Sequence, residues 1–349
     1  MQRHFFTLIL PPLLAAAAAP VMAQDLSVTL TPMRQQFARS DEVQVRVTLT
    51  NTGATPRFVL KWHTPVDGIT APLFEVKRDG QPVRYLGIKA KRPAPGPDDY
   101  LRLETGASLS STVELSAQYE MHVTGAYTLR YLTAAGSLFA SPSLRPVPGT
   151  LASPPVSIWI EGRLPRGAKP PARTASLGPG GLEFNKCSNA QQEQVTAAVD
   201  AGRAMTLSGH AYLSSGAEYK TRYTGWFGAL DAARGSKVTA NFAAIRDAFE
   251  NKPLKVDCGC KEPYFAYVYP AQPYTVYVCK AFWTAPLTGT DSRGGTMLHE
   301  LSHFDVVAGT DDHVYGHEGA AELARSSPER AINNADSHEY FGENTPVQE

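Results

Sequence analysis

His299-Glu300-Leu301-Ser302-His303 places two imidazoles four residues apart with a carboxylate between them. On a helix, positions four apart share a face, so both histidines can bind one metal ion. A Zn²⁺, one per chain, suits that donor set, and Glu300 would then stand beside its water as general base. Gly294 and Gly295 precede the motif, and Met297, Leu298 and Leu301 supply an apolar side. A third ligand is still required. The pattern with a glycine three and a histidine six residues after the second histidine is excluded, because Val306 and Gly309 stand there. A glutamate from a following helix, Glu318 or Glu322, would be one solution. Asp312 is the better candidate: Gly309 can end the helix and turn the chain back, and Asp312 follows that turn.

The rest of the chain must position these groups. Residues 1–23 read as a secretory signal cleaved after Ala23: a basic start, an apolar run from Phe5 to Ala19, and small residues before the cut. The apolar run is too short for a stable membrane anchor. Residues 24–160 alternate apolar and polar side chains, as in Val43-Gln44-Val45-Arg46-Val47, with turn residues between short segments. This predicts an N-terminal antiparallel β-sandwich, immunoglobulin-like in outline. Residues 161–182 are rich in proline, glycine and alanine and read as a linker. From 183 to 349 the pattern predicts a mainly helical α+β domain. Its helices cover Ala190 to Met205 and Val238 to Phe249, and Tyr264 to Val278 forms one hairpin.

The chain carries 33 basic and 33 acidic side chains, which gives no support to a nucleic-acid binder that relies on bulk positive charge. The balance hides an asymmetry. Residues 24–180 hold a formal +6 and residues 181–349 a formal −7, so the halves could dock on each other. Residues 299–349 alone hold 11 acidic and 2 basic side chains, a field that attracts a cationic substrate. Cys187, Cys258, Cys260 and Cys279 are an even set, and outside the cytosol they read as two disulfides. A Cys258–Cys260 bridge is disfavoured by geometry, which leaves two pairings open.

His299-Glu300-x-x-His303 followed by Gly309-Thr310-x-Asp312 resembles the aspzincin metallopeptidases, the deuterolysin group. The resemblance implies a zincin-type catalytic domain in which His299, His303 and Asp312 bind zinc and Asp311 does not. It implies Glu300 as general base and Tyr315, in Tyr315-Gly316, as a stabiliser of the oxyanion. Asn334-Ala335-Asp336-Ser337-His338-Glu339-Tyr340-Phe341 is similar to the corresponding segment of the peptidyl-Lys metalloendopeptidases within that group. There, an aspartate and a glutamate bind the lysine just after the scissile bond; Asp336 and Glu339 hold those places. The resemblance extends to Thr221–Gly228 and to the cysteines, and implies Cys187–Cys258 and Cys260–Cys279. It covers roughly residues 183–349, and the β-rich half only loosely.

The expectation is a secreted, extracellular zinc metalloendopeptidase acting on proteins and peptides before lysine. Lysine is a compact point charge and arginine a wide planar fork, so a narrow pocket closed by two carboxylates can separate them. The β-rich half would be a propeptide that covers the site as an intramolecular inhibitor. Self-processing at Ala168–Lys169 in the linker would release it. A lysine of the β-rich half, such as Lys89 or Lys91 in a proline-bounded segment, could fill the lysine pocket, although the sequence gives no direct sign of it. His313, His317 and His338 are near the motif without an assigned role. Two alternatives compete. One is a deuterolysin-like peptidase without lysine preference. The other is a secreted β-sandwich adhesin or binding module with a structural zinc, against which the intact Glu300 counts.

Overall fold

The structure is a computed structural model that describes residues 25–38, 41–134, 138–139, 150–161, 181–215 and 221–348. The signal segment, most of the 161–182 linker and the Ala168–Lys169 bond lie outside the described residues.

The period-two segments of the first half become strands, because alternation puts every second side chain on one face. Gln44–Asn51 lies between Leu26–Pro32 and Ser108–Glu114, antiparallel to both. Gly125–Ala134 lies between Phe74–Arg78 and Val156–Ile160, again antiparallel. Val45, Val47 and Leu49 of the first sheet and Tyr127, Leu129 and Tyr131 of the second are fully buried in one apolar core. Burying each such side chain contributes about 1.5–3 kcal/mol, which is what holds the two sheets together. One pairing departs from the antiparallel expectation: Gln36–Phe37 runs parallel to Trp159–Ile160.

The second half has eight helices among the described residues: α1 (Asn189–Ser214), α2 (Thr221–Phe227), α3 (Ala232–Asn251), α4 (Lys280–Thr284), α5 (Arg293–Ser302), α6 (His317–Ser326), α7 (Pro328–Ala331) and α8 (Ala335–Glu343). Ser188 starts α1 with a capping box to Gln191. The helix runs well past Met205. Within it Gly209 permits a close approach, since a Cβ there would press within 2.7 Å of the Phe242 ring. α1 crosses α5 closely, and a Cβ on Gly202 would sit 2.7 Å from the Gly294 carbonyl.

The single hairpin expected between Tyr264 and Val278 is present as Ala266–Val268 and Thr275–Val278, but it belongs to a larger sheet. Leu254–Asp257 and Leu182–Asn185 extend it by parallel pairing. Four residues each are too few to show a period in the sequence. The fifth strand comes from the other half of the chain: Lys89–Lys91 pairs antiparallel with Ala266–Val268. The disulfides are Cys187–Cys258 and Cys260–Cys279, and they tie the start of α1 and the start of α4 to this sheet region.

Candidate active site and metal centre

Ser292 caps α5 by accepting the Gly295 N–H at 2.9 Å, and Gly294 to Ser302 are all buried. The helix ends at Ser302, well before Gly309. The Ser302 hydroxyl turns back to the His299 carbonyl at 2.6 Å, and His303 N–H reaches only the Glu300 carbonyl, so the last turn tightens. Gly309, at φ +61°, makes the later turn that the sequence assigned to the helix end. Thr310 then returns its hydroxyl to Ser302 at 2.6 Å, which brings Asp312 back over the helix.

His303 Nδ1 lies 2.9 Å from the Thr310 carbonyl, an acceptor only, so Nδ1 carries the proton and Nε2 presents a lone pair. His299 Nδ1 faces Asp336 Oδ1 at 3.0 Å and Glu339 Oε2 at 3.1 Å, which again leaves Nε2 as the free donor atom. The two Nε2 atoms are 3.1 Å apart, and Asp312 Oδ1 is 3.2 Å from one and 3.3 Å from the other. Three buried lone-pair atoms therefore converge, and Asp312 Oδ1 has no well-formed hydrogen bond. Ligand atoms about 2.0–2.1 Å from a tetrahedral Zn²⁺ stand about 3.3 Å from one another, so the triad fits that ion. Burial alone would lower the pKa of His299, but Asp312, Asp336 and Glu339 hold it well above the imidazole value. Burial would raise Asp312, yet His303 and His299 hold it well below the carboxyl range. Both shifts express a site that demands positive charge.

The other candidates fall elsewhere. Asp311 pairs with Lys89 at 2.6 Å and accepts from Asn333, so its carboxylate is engaged away from the triad. Glu318 is exposed and Glu322 pairs with Arg325. His338 is buried against Phe242 and bonds Asn334 and Asn241, which makes it part of the scaffold. His317 packs edge-on to Trp226. Within the Thr221–Gly228 segment, Arg222 donates twice to the Phe341 carbonyl near the end of α8, which holds the helix that carries Asp336 and Glu339.

Glu300 is fully buried beside the triad, and burial pushes its carboxyl up to about 8. Its Oε1 lies 3.3 Å from the Lys91 N–H. The Tyr315 hydroxyl donates to the Ala90 carbonyl at 3.0 Å. Lys91 runs from that point into a closed pocket, where Nζ is 2.6 Å from Glu339, 3.1 Å from Asp291 and 3.8 Å from Asp336. Burial would lower its pKa, but the three carboxylates raise it well above the ordinary value, so the ammonium is charged. The Phe265 and Tyr340 rings wall the pocket. The Ala90–Lys91 peptide unit thus touches every group of the site except the metal triad. Lys91 is one of the two lysines the sequence offered without a signal; Asp291 was not singled out at all. Its only mark is an acidic residue in the turn leading to α5.

Two histidines and an aspartate around one metal position, with a buried glutamate and a tyrosine hydroxyl beside it, define a zincin-type metallopeptidase. The family model for lysine-specific metallo-endopeptidases matches residues 212–343. The chain is 45% identical over 338 residues to an extracellular protease of Aeromonas hydrophila, covering 95% of each chain. It is 34% identical over 343 residues to a peptidyl-Lys metalloendopeptidase of Armillaria mellea, covering 96% of this chain and 95% of that one. A zinc peptidase of Grifola frondosa, solved as a structure, is 41% identical over 47% of this chain and 100% of its own, at a TM-score of 0.45. The chain belongs to the aspzincin family and is a zinc metalloendopeptidase of peptidyl-Lys type. Among the described residues, no helix is long and apolar enough to cross a membrane.

Proposed function

We propose that the protein is a secreted proenzyme, targeted by residues 1–23, whose mature form hydrolyses peptide bonds on the N-terminal side of lysine. One Zn²⁺ per chain is held by His299, His303 and Asp312. Residues 24–160, read as an immunoglobulin-like sandwich, act as an intramolecular inhibitor, and residues 161–182 form the linker to the catalytic domain, residues 183–349. Release near Ala168–Lys169 is self-processing.

One observation carries this reading. The Ala90–Lys91 peptide lies as an added strand with its carbonyl on Tyr315, its N–H at Glu300 and its ammonium at Glu339. An extended substrate with lysine just after the scissile bond needs the same three contacts.

In the reaction, Glu300 accepts a proton from the attacking water and passes it to the leaving amine, whose position the Lys91 nitrogen marks. Its burial and raised pKa favour holding that proton between the two transfers. The Tyr315 hydroxyl donates to the carbonyl oxygen as charge develops there, a contribution of about 3 kcal/mol for one good donor. A Zn²⁺ held by His299, His303 and Asp312 would supply Lewis acidity, which brings the pKa of a coordinated water from 15.7 to about 7. Asp336 and Glu339 seat the ammonium. Lys91 does the same from within the chain, so substrate and inhibitory strand compete for one place.

The test is mass spectrometry of new termini in a denatured protein mixture digested by the zinc-loaded matured enzyme, with Glu300→Gln as control. Cuts before lysine that the control lacks are expected. Cuts spread over other residues would replace the reading with a peptidase lacking lysine preference. A Glu300→Gln chain that still matures alone at Ala168–Lys169 would remove self-processing.

A further inference from the structure

Asp336 and Glu339 face two ways. Each contacts the Lys91 ammonium and also His299 Nδ1, at 3.0 and 3.1 Å. Asp291 differs. Its Oδ1 lies 3.1 Å from Lys91 Nζ and accepts the Tyr340 hydroxyl at 2.7 Å, so it bridges the ammonium to a pocket wall and not to a metal ligand.

Its position is built. Asp291 adopts φ +53° in the turn before α5, a conformation that favours glycine and asparagine. Glu343 pins that turn by accepting from Asp291 N at 3.2 Å, Ser292 N at 2.8 Å and Ser292 Oγ at 2.7 Å. Gly295 forms the floor: a Cβ there would overlap the Glu343 carboxylate and approach Glu339 Oε1 to 2.9 Å. An ammonium has three N–H donors on one compact atom, and here three carboxylates surround that atom. A guanidinium spreads its donors over a plane and cannot bring one atom to all three.

We infer that Asp291 is a specificity-determining residue, the third carboxylate of the seat for the lysine ammonium, and the one that acts on the substrate without also holding a zinc ligand. The inference deepens the lysine-pocket reading above and rests on it.

The test uses the zinc-loaded enzyme, expressed as the full chain and assayed after maturation. Matched peptides carry lysine or the uncharged norleucine after the scissile bond. Asp291→Asn should lower kcat/KM on the lysine peptide about 30-fold, mainly through KM, as expected for one charged hydrogen bond. The norleucine peptide should change less than about threefold, with zinc content and Tm as in the wild type. Asp336→Asn should lower both peptides, since it also orients His299. Should the asparagine variant not fold, Tyr340→Phe removes the hydroxyl that donates to Asp291 at 2.7 Å and only weakly reaches Asp336 at 3.4 Å, so the loss of about fivefold on the lysine peptide should exceed that on norleucine. Equal losses on both peptides, or no loss on lysine, would overturn the role of Asp291. A wild type that cleaves lysine and norleucine peptides alike would instead overturn the pocket itself.

Discussion

The two halves of this chain solve the burial of side chains in opposite ways. The β-rich half buries Val45, Val47, Tyr127 and Leu129 and leaves most of its charges in solvent. The catalytic half buries Glu300, Asp312, Asp336 and Glu339 around one site, although they span 39 positions of sequence. Buried carboxylates are costly unless paired. A metal cation bound at the triad would meet its charge. The pocket's charge is met by Lys91, a residue of the other half. Three carboxylates of one half thus surround a single ammonium, and that ammonium is carried by a strand of the other half.

The largest expected effect separates chemistry from binding. Glu300→Gln should keep zinc and the docked halves but lose kcat by about 10³–10⁴-fold, as removal of a general base does. Retained zinc with unchanged turnover would remove Glu300 from the reaction. Next is the pairing across the halves. Lys91→Ala leaves three carboxylates facing one another, and breaking such a buried pair costs about 3–5 kcal/mol. Chemical denaturation of the full chain should show that loss as earlier separation of the two halves. Lys89 sharpens the comparison, because it lies two residues away on the same strand and also pairs with an aspartate. Lys89 is buried but faces one carboxylate, about one-third exposed, and the Thr310 carbonyl, so Lys89→Ala leaves no cluster of buried charge and should cost less, about 1–2 kcal/mol in the same assay. Similar losses for the two lysines would argue that strand pairing, and not the pocket, holds the halves together.

Acid should loosen the contact from the carboxylate side. Burial raises Asp336 and Asp311, but Lys91 and Lys89 respectively outweigh it and bring both below the ordinary value of 3.8. A depressed carboxyl contributes stability above its unfolded pKa and loses it as pH falls through the folded one. The Asp336 and Asp311 contributions should therefore be whole at pH 5 and fade only below about pH 3.8, whereas Glu339, held above its ordinary value by burial, contributes more, not less, as pH falls. Lys91, raised above 10.5, contributes below that value and is lost only at higher pH. Size-exclusion chromatography of linker-cleaved protein across this range reads the window; separation already at pH 5 would contradict it.

Much of the metal site was legible because its parts are close in sequence. Two histidines four apart, a glycine turn and an aspartate lie within Gly294–Asp312, and local periodicity places them. Asp336 and Glu339 carry no such mark, since positions three apart on a helix read as an ordinary polar face; only the resemblance singled them out. The β-rich half was legible through its alternation, whereas the strands Leu182–Asn185 and Leu254–Asp257 were too short to show a period. Asp291 was not legible, and Lys91 was offered only as one of two lysines, with no direct sign to choose it. Their meeting joins residues 200 positions apart through a three-residue strand, and neither segment has a pattern that points to the other.

The most direct test of the central claim is the activity of unprocessed, zinc-loaded full-length protein on a lysine peptide, compared with the same protein carrying Lys91→Ala. If Lys91 and the strand around it occupy the place of a substrate, the unprocessed wild type should be silent and the variant should hydrolyse the peptide. Hydrolysis by the intact wild type at the rate of the matured enzyme would contradict the account.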